Sequence, residues 1–242
     1  MLVLSRSPDC FRARYPHLAD AKQFLSKINT CAPSFQAVWI KKCRHWKKKH
    51  PVYLSEYADC TEGINLYYFV DSLAKVLKDD SVVVSDAGSA FYAVTQGIQL
   101  REGQRLITSG GQAEMGYTLP ATIGVCYAKN KSEIIGITGD GSFQMNIQEL
   151  QTIVHNDLSV KIFVWNNDGY LSIRATQRKF FDGRFIGTDS TSGISFPSIK
   201  KIVGAYGLKY FSLNRSHNLT SCYEFICEAK GPCIPFVENV LH

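Results

Sequence analysis

The eight cysteines of this 242-residue chain include no C-x-x-C pair, the spacing typical of zinc and iron–sulfur sites. The sequence also lacks an apolar run of the roughly 18–20 residues that a membrane-spanning helix needs. Its first ten residues, MLVLSRSPDC, have no basic segment and too short an apolar run for a signal peptide. We therefore expect free thiols, no metal site built from cysteines, no membrane association and a cytosolic protein.

Charge of one sign is in small excess. The formal net charge is +6, from 27 basic and 21 acidic residues, which allows anionic ligands without indicating a nucleic-acid-binding protein. Much of the excess lies in KKCRHWKKKH, residues 41–50. We interpret this segment as a solvated helix with Trp39 and Trp46 on one side; a nucleic-acid patch is the alternative.

The residues before position 59 differ in pattern from those that follow. YPHLADAKQFLSKIN has apolar residues at helical spacing, which predicts a helix with an apolar face at Leu18, Ala21, Phe24, Leu25 and Ile28. From about residue 60 a second pattern begins, and we expect a boundary there, between an amino-terminal segment (1–58) and a domain (59–242).

Short apolar runs alternate with helical patterns through the second part. The runs are SVVVSDAGSA, RLITSGGQAEMG, EIIGITGDG, VKIFVWNNDG and PCIPFVENVL, and the helical patterns include INLYYFVDSLAKVL, YTLPATIGVCYAKN, FQMNIQELQTIVHND, SFPSIKKIVGAYG and SCYEFICEAKG. Such alternation is typical of an α/β fold, a doubly wound parallel sheet with helices on both faces.

Polar and glycine-rich segments follow four of the apolar runs. They begin at Asp86, Gly110, Asp140 and Asn167. In open parallel sheets, ligands bind beyond the carboxyl ends of the strands, so these loops could line one cleft.

The residue types in two of these loops indicate a particular ligand. A carboxylate (Asp140), an amide oxygen (Asn167) and the backbone carbonyl of Gly169 are hard oxygen donors, which suit Mg²⁺ rather than zinc. Gly141 and Ser142 would open a helix at residue 143, where amide groups favour phosphate. The expected ligand is a diphosphate bridged by Mg²⁺, although each motif alone could be a plain turn.

The order and spacing of these motifs resemble a known family. GDGSFQMNIQELQTIVHNDLSVKIFVWNNDGY, SGGQAEMGYTLPATIGVCYA and VVVSDAGSAFYAV resemble the C-terminal thiamine diphosphate (ThDP)-binding domain of the acetolactate synthase and pyruvate decarboxylase superfamily. The resemblance covers about residues 60–242. It implies ThDP and Mg²⁺ as cofactors and a transferase or lyase acting on 2-oxo acids, by decarboxylation or C–C bond formation.

The resemblance also implies roles for individual residues. Asp140, Asn167 and the Gly169 carbonyl match the Mg²⁺ ligands, and Met115 matches the residue that holds the cofactor bent. The Ala113 carbonyl matches the acceptor for the cofactor's amino group. Gly141 and Ser142 match the diphosphate contacts, and Gly88 and Ser89 match the loop that closes over the diphosphate. Gly139 is a further expected cofactor-binding residue.

One part of the family pattern is missing. The family's pyrimidine-binding domain, which supplies an activating glutamate, has no counterpart here, and neither Glu114 nor Glu149 matches that glutamate. No catalytic side chain is therefore assigned. We expect a homo- or hetero-oligomer, such as a dimer, in which a partner chain supplies the glutamate. The alternative is that the chain is a truncated copy.

Two other functions stay open on the sequence. One is a non-catalytic, cofactor-binding remnant; the other is the ThDP subunit of a split 2-oxo acid decarboxylase or oxidoreductase. For a substrate carboxylate the candidates are Arg174, Arg178 and Lys179, in a stretch (171–196) interpreted as loop, where any of them could equally be a solvated charge.

Overall fold

The computed structural model describes residues 20–30, 37–214, 219–238, 240 and 241. The chain divides into two compact units, residues 1–51 and 52–242. Leu18, expected on the apolar face of the first helix, lies outside the described residues.

The first unit contains two described helices, α1 (Ala21–Thr30) and α2 (Ala37–Lys49). Both helices were expected from the sequence, and α2 carries the basic segment. The rings of Trp39 and Trp46 meet edge to face with centroids 5.7 Å apart, and Lys42 Nζ lies 4.9 Å from the Trp46 ring centre. Because both indoles remain about half exposed, this pair stacks on the surface of its helix and not in a core.

The second unit opens with a short 3₁₀ turn (Ser55–Asp59) and then alternates strands and helices. In chain order they are β1 (Ile64–Asn65), α3 (Leu66–Val76), β2 (Val82–Ser85), α4 (Gly88–Gly97), β3 (Arg105–Thr108), α5 (Thr118–Ala128), β4 (Ile134–Gly139), α6 (Asp140–Met145), α7 (Glu149–His155), β5 (Val160–Trp165), α8 (Leu171–Phe180), α9 (Ile199–Ala205), β6 (Lys209–Leu213), α10 (Leu219–Glu228), β7 (Cys233–Val237) and β8 (Val240–Leu241).

Within the described residues, six strands form one parallel sheet in the order β3-β2-β4-β5-β7-β6. The α/β doubly wound fold expected from the sequence is therefore confirmed. The chain moves outward from β2 to β3 and then returns to place β4 on the other side of β2. This reversal between β2 and β4 is the place where parallel α/β sheets hold ligands. A separate parallel pair joins β1 to β8.

Both faces of the sheet are covered, which explains why its strands read as continuous apolar runs. Successive residues of β5 point to opposite sides: Phe163 and Trp165 pack with α3, α4 and α10, whereas Ile162 and Val164 pack with α5, α7 and α9. On the first side Phe69 meets Phe163, Trp165 and Tyr223 edge to face, with ring centroids 5.1–5.4 Å apart. The result is a three-layer core.

Local side-chain bonds set several helix boundaries. The Asn65 side chain accepts hydrogen bonds from the Tyr67 and Tyr68 amides and begins α3, and the Ser198 side chain begins α9 in the same way. Polar caps of this kind explain why α3 and α9 each begin directly after a polar residue, at the first residues with helical spacing of apolar side chains.

The structure differs from the expected elements at four places. The helix after Gly139 begins at Asp140, not at residue 143, and it is interrupted between α6 and α7. Asn146 leaves the helical region there (φ −129°, ψ 35°), and its amide donates to the Gly116 carbonyl at 2.8 Å. The stretch interpreted as loop after residue 171 begins with α8, which has no buried residue and so no apolar stripe to indicate it. Strand β6 was not predicted either, because only one of its five residues is buried and its sequence is therefore not a continuous apolar run.

The described cysteines are free thiols. Two of them, Cys227 in α10 and Cys233 in β7, lie at the end of the sheet opposite the loops of interest, and burial raises the pKa of each thiol to about 11. None of the helices in the described ranges has the length and apolarity required to cross a membrane.

Candidate functional site

The carboxyl ends of β2, β4 and β5 surround one cavity at the point where the strand order reverses. The cavity is lined by all but one of the residues that the sequence singled out for cofactor binding: Gly88, Ser89, Met115, Gly139, Asp140, Gly141, Ser142, Asn167 and Gly169. The exception is Ala113. Loops separated by eighty residues of sequence thus share one surface.

Asp140 connects two of the strand ends. Its Oδ1 accepts a hydrogen bond from the Gly141 amide (2.8 Å), and its Oδ2 accepts from the amides of Gly169 (3.1 Å) and Asn167 (3.3 Å). Burial raises the pKa of this carboxyl to about 6, against the lowering effect of the three amides. The side chain therefore holds the loop after β5 against the junction of β4 and α6.

The same geometry alters one expectation. The Gly141 amide, expected to point at a phosphate, is engaged by the Asp140 carboxylate in this structure. Gly141 still matters sterically, because a Cβ at this position would lie 2.3 Å from the Tyr170 ring. The ring of Tyr170 consequently rests directly on the backbone of the Gly-Asp-Gly turn.

Three side chains around the cavity carry buried polar atoms with unmet hydrogen-bonding capacity. Seven buried side-chain atoms of the described residues have no hydrogen-bond partner, and three of them, Asn167 Oδ1, Ser172 Oγ and Trp165 Nε1, belong to residues that line this cavity. Native proteins leave few buried polar atoms unpaired, so a group of them at one site indicates a bound polar ligand or ion. An amide oxygen, a hydroxyl and an indole N–H suit a ligand that both donates and accepts, or a cation beside an acceptor.

The glycine-rich loop after β3 forms a second wall. Ser109 organises it, with its carbonyl accepting from the Ala113 amide (2.7 Å) and its Oγ from the Glu114 amide (3.1 Å). Ala113 has a left-handed backbone (φ 56°), which is uncommon for a residue with a Cβ and costs free energy that its surroundings must offset. Met115, which is 38% exposed, lines the cavity at the strand ends. It also lines a second cavity, which is formed by the glycine-rich loop and Gly116.

The loop after β2 closes a third side. Gly88 has φ +59°, and a Cβ there would lie 3.4 Å from Ser172 Oγ, so α4 and α8 approach each other across the cavity. Asp86, although at the end of β2, does not line the cavity. It is fully buried and accepts from the Ala87 amide (2.7 Å) and from Thr138 Oγ1 (3.0 Å), and burial raises the pKa of its carboxyl. Asp86 therefore fastens the ends of β2 and β4 together.

Sequence reasoning missed the contribution of the start of α8, of the residue before it and of the last residue of β5. Trp165, Tyr170 and Ser172 all line the cavity. Trp165 read as an ordinary strand residue. The only signal for the other two was their position directly after Asn-Asn-Asp-Gly.

The three basic residues considered for a substrate carboxylate behave differently from one another. The Arg174 guanidinium donates to the carbonyls of Asn167 (2.6 Å), Asp168 (2.9 Å) and Thr188 (3.1 Å), so it faces protein backbone and not a substrate. Arg178 and Lys179 are exposed on α8, each over a phenylalanine ring at 5.8 and 5.2 Å.

Comparison with known proteins gives consistent results. The family model described as "Thiamine pyrophosphate enzyme, C-terminal TPP binding domain" matches residues 86–234. The chain is 31% identical over 196 residues to the acetolactate synthase large subunit of Cyanidium caldarium, an alignment covering 81% of this chain and 32% of that protein. It is also 31% identical over 205 residues to the mitochondrial acetolactate synthase catalytic subunit of Saccharomyces cerevisiae, covering 83% of this chain and 29% of the relative.

A longer alignment, to acetolactate synthase 1, chloroplastic, from Nicotiana tabacum, shows 26% identity over 254 residues, with 97% of this chain and 38% of the relative covered. The chain spans about a third of the length of the curated relatives it matches. Since the family model matches more than half of the chain and includes every residue that lines the cavity, the chain belongs to the thiamine diphosphate enzymes as their C-terminal, cofactor-binding domain.

Proposed function

We propose that the cavity at the β2–β4 reversal holds thiamine diphosphate together with Mg²⁺, and that the chain is the C-terminal part of an acetolactate synthase-like enzyme acting on 2-oxo acids. The observation that carries this proposal is the set of unpaired buried atoms around the cavity. Asn167 Oδ1 is the most informative of them, because an amide oxygen buried without a donor beside a carboxylate is a ready cation ligand.

The residues present fit the pair of ligands. Asp140, with pKa raised to about 6 by burial, forms no ion pair within the described residues, and a divalent cation would give it a charged partner. We propose Asp140, Asn167 and the Gly169 carbonyl as the metal ligands. Gly139, Gly141, Ser142, Gly88 and Ser89 would face the diphosphate. For Gly141, contact through its amide requires that the Asp140 carboxylate turn toward the metal.

The glycine-rich loop would serve the remaining part of the cofactor. Met115 lines both cavities and so lies between them. A side chain at this position could support a ligand that is bent between the two. The left-handed backbone at Ala113 sets the direction of its carbonyl without help from a side chain, consistent with the role of a fixed acceptor. Thiamine diphosphate, when bound, supplies carbanion chemistry on 2-oxo acids, while the protein fixes shape and charge.

The activating carboxylate of this chemistry is proposed to come from outside the 242 residues. Neither Glu114 nor Glu149 lines the first cavity. We propose that a pyrimidine-binding domain supplies it within a homo- or hetero-oligomer such as a dimer. We also propose residues 59–242 as the cofactor domain and 1–58 as the preceding segment, the tail of a middle domain plus linker.

Calorimetric titration of thiamine diphosphate into the purified chain, with Mg²⁺ and then with excess EDTA, tests the binding site. We expect binding that EDTA abolishes. Asp140→Asn should lose it, whereas Asp168→Asn, the same change at an exposed carboxylate in the neighbouring loop, should keep it. Circular dichroism of both variants controls for folding. Equal affinity in the two variants would remove Asp140 from the metal site.

Turnover measurements test the proposed need for a second domain. The isolated chain with cofactor, Mg²⁺ and pyruvate is expected to form no product. Product should appear when a chain carrying a pyrimidine-binding domain is added. Turnover by the isolated chain would contradict the need for a partner, and cofactor binding with no turnover under any pairing would favour a non-catalytic, cofactor-binding role.

A further inference from the structure

We propose that Arg174 is a positioning residue that holds the loop after β5 in its cofactor-ready form, by binding the loop's backbone through its guanidinium group. The inference rests on the proposed function for its consequence, since the same loop carries the proposed metal ligands. Its evidence, however, lies in contacts of the chain itself.

The guanidinium is committed to backbone carbonyls. Nη2 donates to the Asn167 carbonyl at 2.6 Å, and Nη1 donates to the carbonyls of Asp168 (2.9 Å) and Thr188 (3.1 Å). The Arg174 side chain is only 14% exposed, although its helix, α8, buries no residue completely. The guanidinium is thus largely shielded from water although its helix lies at the surface. Because it donates its hydrogen bonds to backbone carbonyls, its effect is to hold that backbone in place.

The backbone of the loop after β5 has little conformational freedom next to the Arg174 guanidinium. A Cβ on Gly169 would lie 2.9 Å from Arg174 Nη1 and 2.0 Å from the Thr188 carbonyl oxygen, so only glycine fits there. Asp168 and Gly169 both have positive φ, 53° and 130°. Such a backbone persists only where its surroundings hold it, and Arg174 is the group that binds the two carbonyls immediately before Gly169.

Arg174 also joins this loop to a more distant segment. The Thr188 carbonyl accepts from both Arg174 and the Tyr170 amide (2.8 Å). The following turn is closed by Asp189, whose Oδ1 accepts from Ser192 Oγ (2.8 Å) and whose Oδ2 lies 3.9 Å from Arg174 Nη1. The turn at 188–192 thus holds the guanidinium from a second segment of the chain.

The chemistry favours arginine over lysine. A planar guanidinium offers several donors in a fixed fork and stays charged at all accessible pH values, so one side chain can hold three carbonyls at once. A lysine ammonium is a compact point donor on a flexible stem. We therefore expect Arg174→Lys to restore only part of what Arg174→Gln loses.

Hydrogen exchange of the chain without cofactor is the first arm of the test. The amides of Asn167 and Gly169, both bonded to Asp140, should exchange at least about tenfold faster in Arg174→Gln than in the wild type, with Arg174→Lys between them. Arg178→Gln, which removes an exposed arginine one turn along α8, is the matched control and should leave that exchange unchanged. Equal exchange in Arg174→Gln and wild type would overturn the inference.

Calorimetry with thiamine diphosphate and Mg²⁺ is the second arm. Arg174→Gln should bind at least about tenfold more weakly than the wild type and Arg178→Gln should bind as the wild type does, with the same order among the variants as in the exchange experiment. Faster exchange with unchanged affinity would reduce Arg174 to a purely structural role and overturn its positioning role. A wild type that binds no cofactor would contradict the proposed function, while the exchange arm still decides whether Arg174 holds the loop.

Discussion

At the scale of single residues, the site is marked by atoms that the protein leaves unsatisfied. Asn167 Oδ1, Ser172 Oγ and Trp165 Nε1 are buried around one cavity without partners among the described residues, while Asp140 beside them is fully engaged with backbone amides. Polar atoms in this condition lower the stability of the empty protein and are retained where a ligand needs them.

Asn167→Ala separates these two effects. Because the Asn167 oxygen has no partner in the empty protein, its removal should leave the melting temperature unchanged or slightly raised. Mg²⁺-dependent cofactor affinity should fall by about 10–100-fold or more, as for other groups at metal sites. The neighbouring Asn166→Ala gives the contrast: it removes an oxygen that accepts from the Asp168 amide (3.3 Å), so it should lower the melting temperature. Differential scanning calorimetry with cofactor titration gives both quantities. A lower melting temperature with intact affinity would mean that Asn167 is structural.

A steric prediction concerns Gly141. Its Cβ in Gly141→Ala would meet the Tyr170 ring at 2.3 Å, so we expect a loss of about 1–3 kcal/mol in the free energy of unfolding, typical of an overpacked site. In the background of Tyr170→Leu the same change should cost much less. A double-mutant cycle by urea denaturation measures this coupling. Additive effects of the two changes would show that the cost of Gly141→Ala does not arise from contact with the Tyr170 ring.

At the scale of secondary-structure elements, one glycine lets a helix approach the sheet. Gly136 lies in the middle of β4, and a Cβ there would come within 3.0 Å of Thr118 Cγ2 and of Thr122 Oγ1 on α5. Thr118, in turn, bonds the β4 backbone at Ile137 through its hydroxyl (3.2 Å). The start of α5 is thus seated against the strand that ends in the Gly-Asp-Gly turn.

Two glycine substitutions test this seating. Gly136→Ala should destabilise the protein by about 1–3 kcal/mol, because α5 must move away from β4. Gly124→Ala, within α5 itself and with open space around the new methyl group, should be neutral or stabilising by up to about 1 kcal/mol. Urea denaturation of both variants gives the comparison. Equal effects would indicate that α5 has room to shift.

The elements also show how far the sequence alone reaches. Strands β2, β4 and β5 were predictable because burial on both faces produces apolar runs, and the turns after them because glycine and asparagine follow at once. The interruption at Asn146 was not, since it depends on a bond to Gly116, thirty residues away. The helix α8 was not predicted because it lacks an apolar stripe. Tyr170 before it, Ser172 within it and the role of Arg174 in holding the loop were therefore missed as well. Tertiary contacts of this kind leave no local pattern.

At the scale of the whole molecule, the two ends of the sheet differ in chemistry. The carboxyl ends of the strands carry the cavity, while the amino ends carry a buried lysine, Lys161, whose Nζ donates to the carbonyls of Ala229 and Gly231 (2.8 Å to the latter), near the Cys227 and Cys233 thiols. The buried Tyr223 hydroxyl, on the same helix as Cys227, donates to the Phe69 carbonyl at 3.1 Å.

This arrangement predicts loss of stability at alkaline pH. The pKa values of Cys227 and Cys233 are raised to about 11, so each thiol keeps its proton in the folded state while the unfolded chain releases it near pH 9. The free energy of unfolding should therefore fall between about pH 9 and 11, by at most about 1.4 kcal/mol per pH unit for each thiol. Burial raises the pKa of Tyr223 as well, which adds to the loss above pH 10.

Urea denaturation under reducing conditions from pH 8 to 10.5 measures this slope. Cys233→Ala should flatten it, whereas Cys43→Ala, at an exposed thiol of the first unit, should not. A slope unaffected by Cys233→Ala would mean that the thiol is accessible to solvent in the folded protein.

The short pairing of β1 with β8 has a consequence in time. Ile64 lies beside Val240, and Asn65, which begins α3, lies beside Leu241. On a ribosome that adds 5–20 residues per second, the two partners are made about 175 residues apart, so β1 waits roughly 10–35 s for its neighbour. During that interval the start of the cofactor domain has an open strand edge, which makes the nascent chain a candidate client for chaperones that shield such edges.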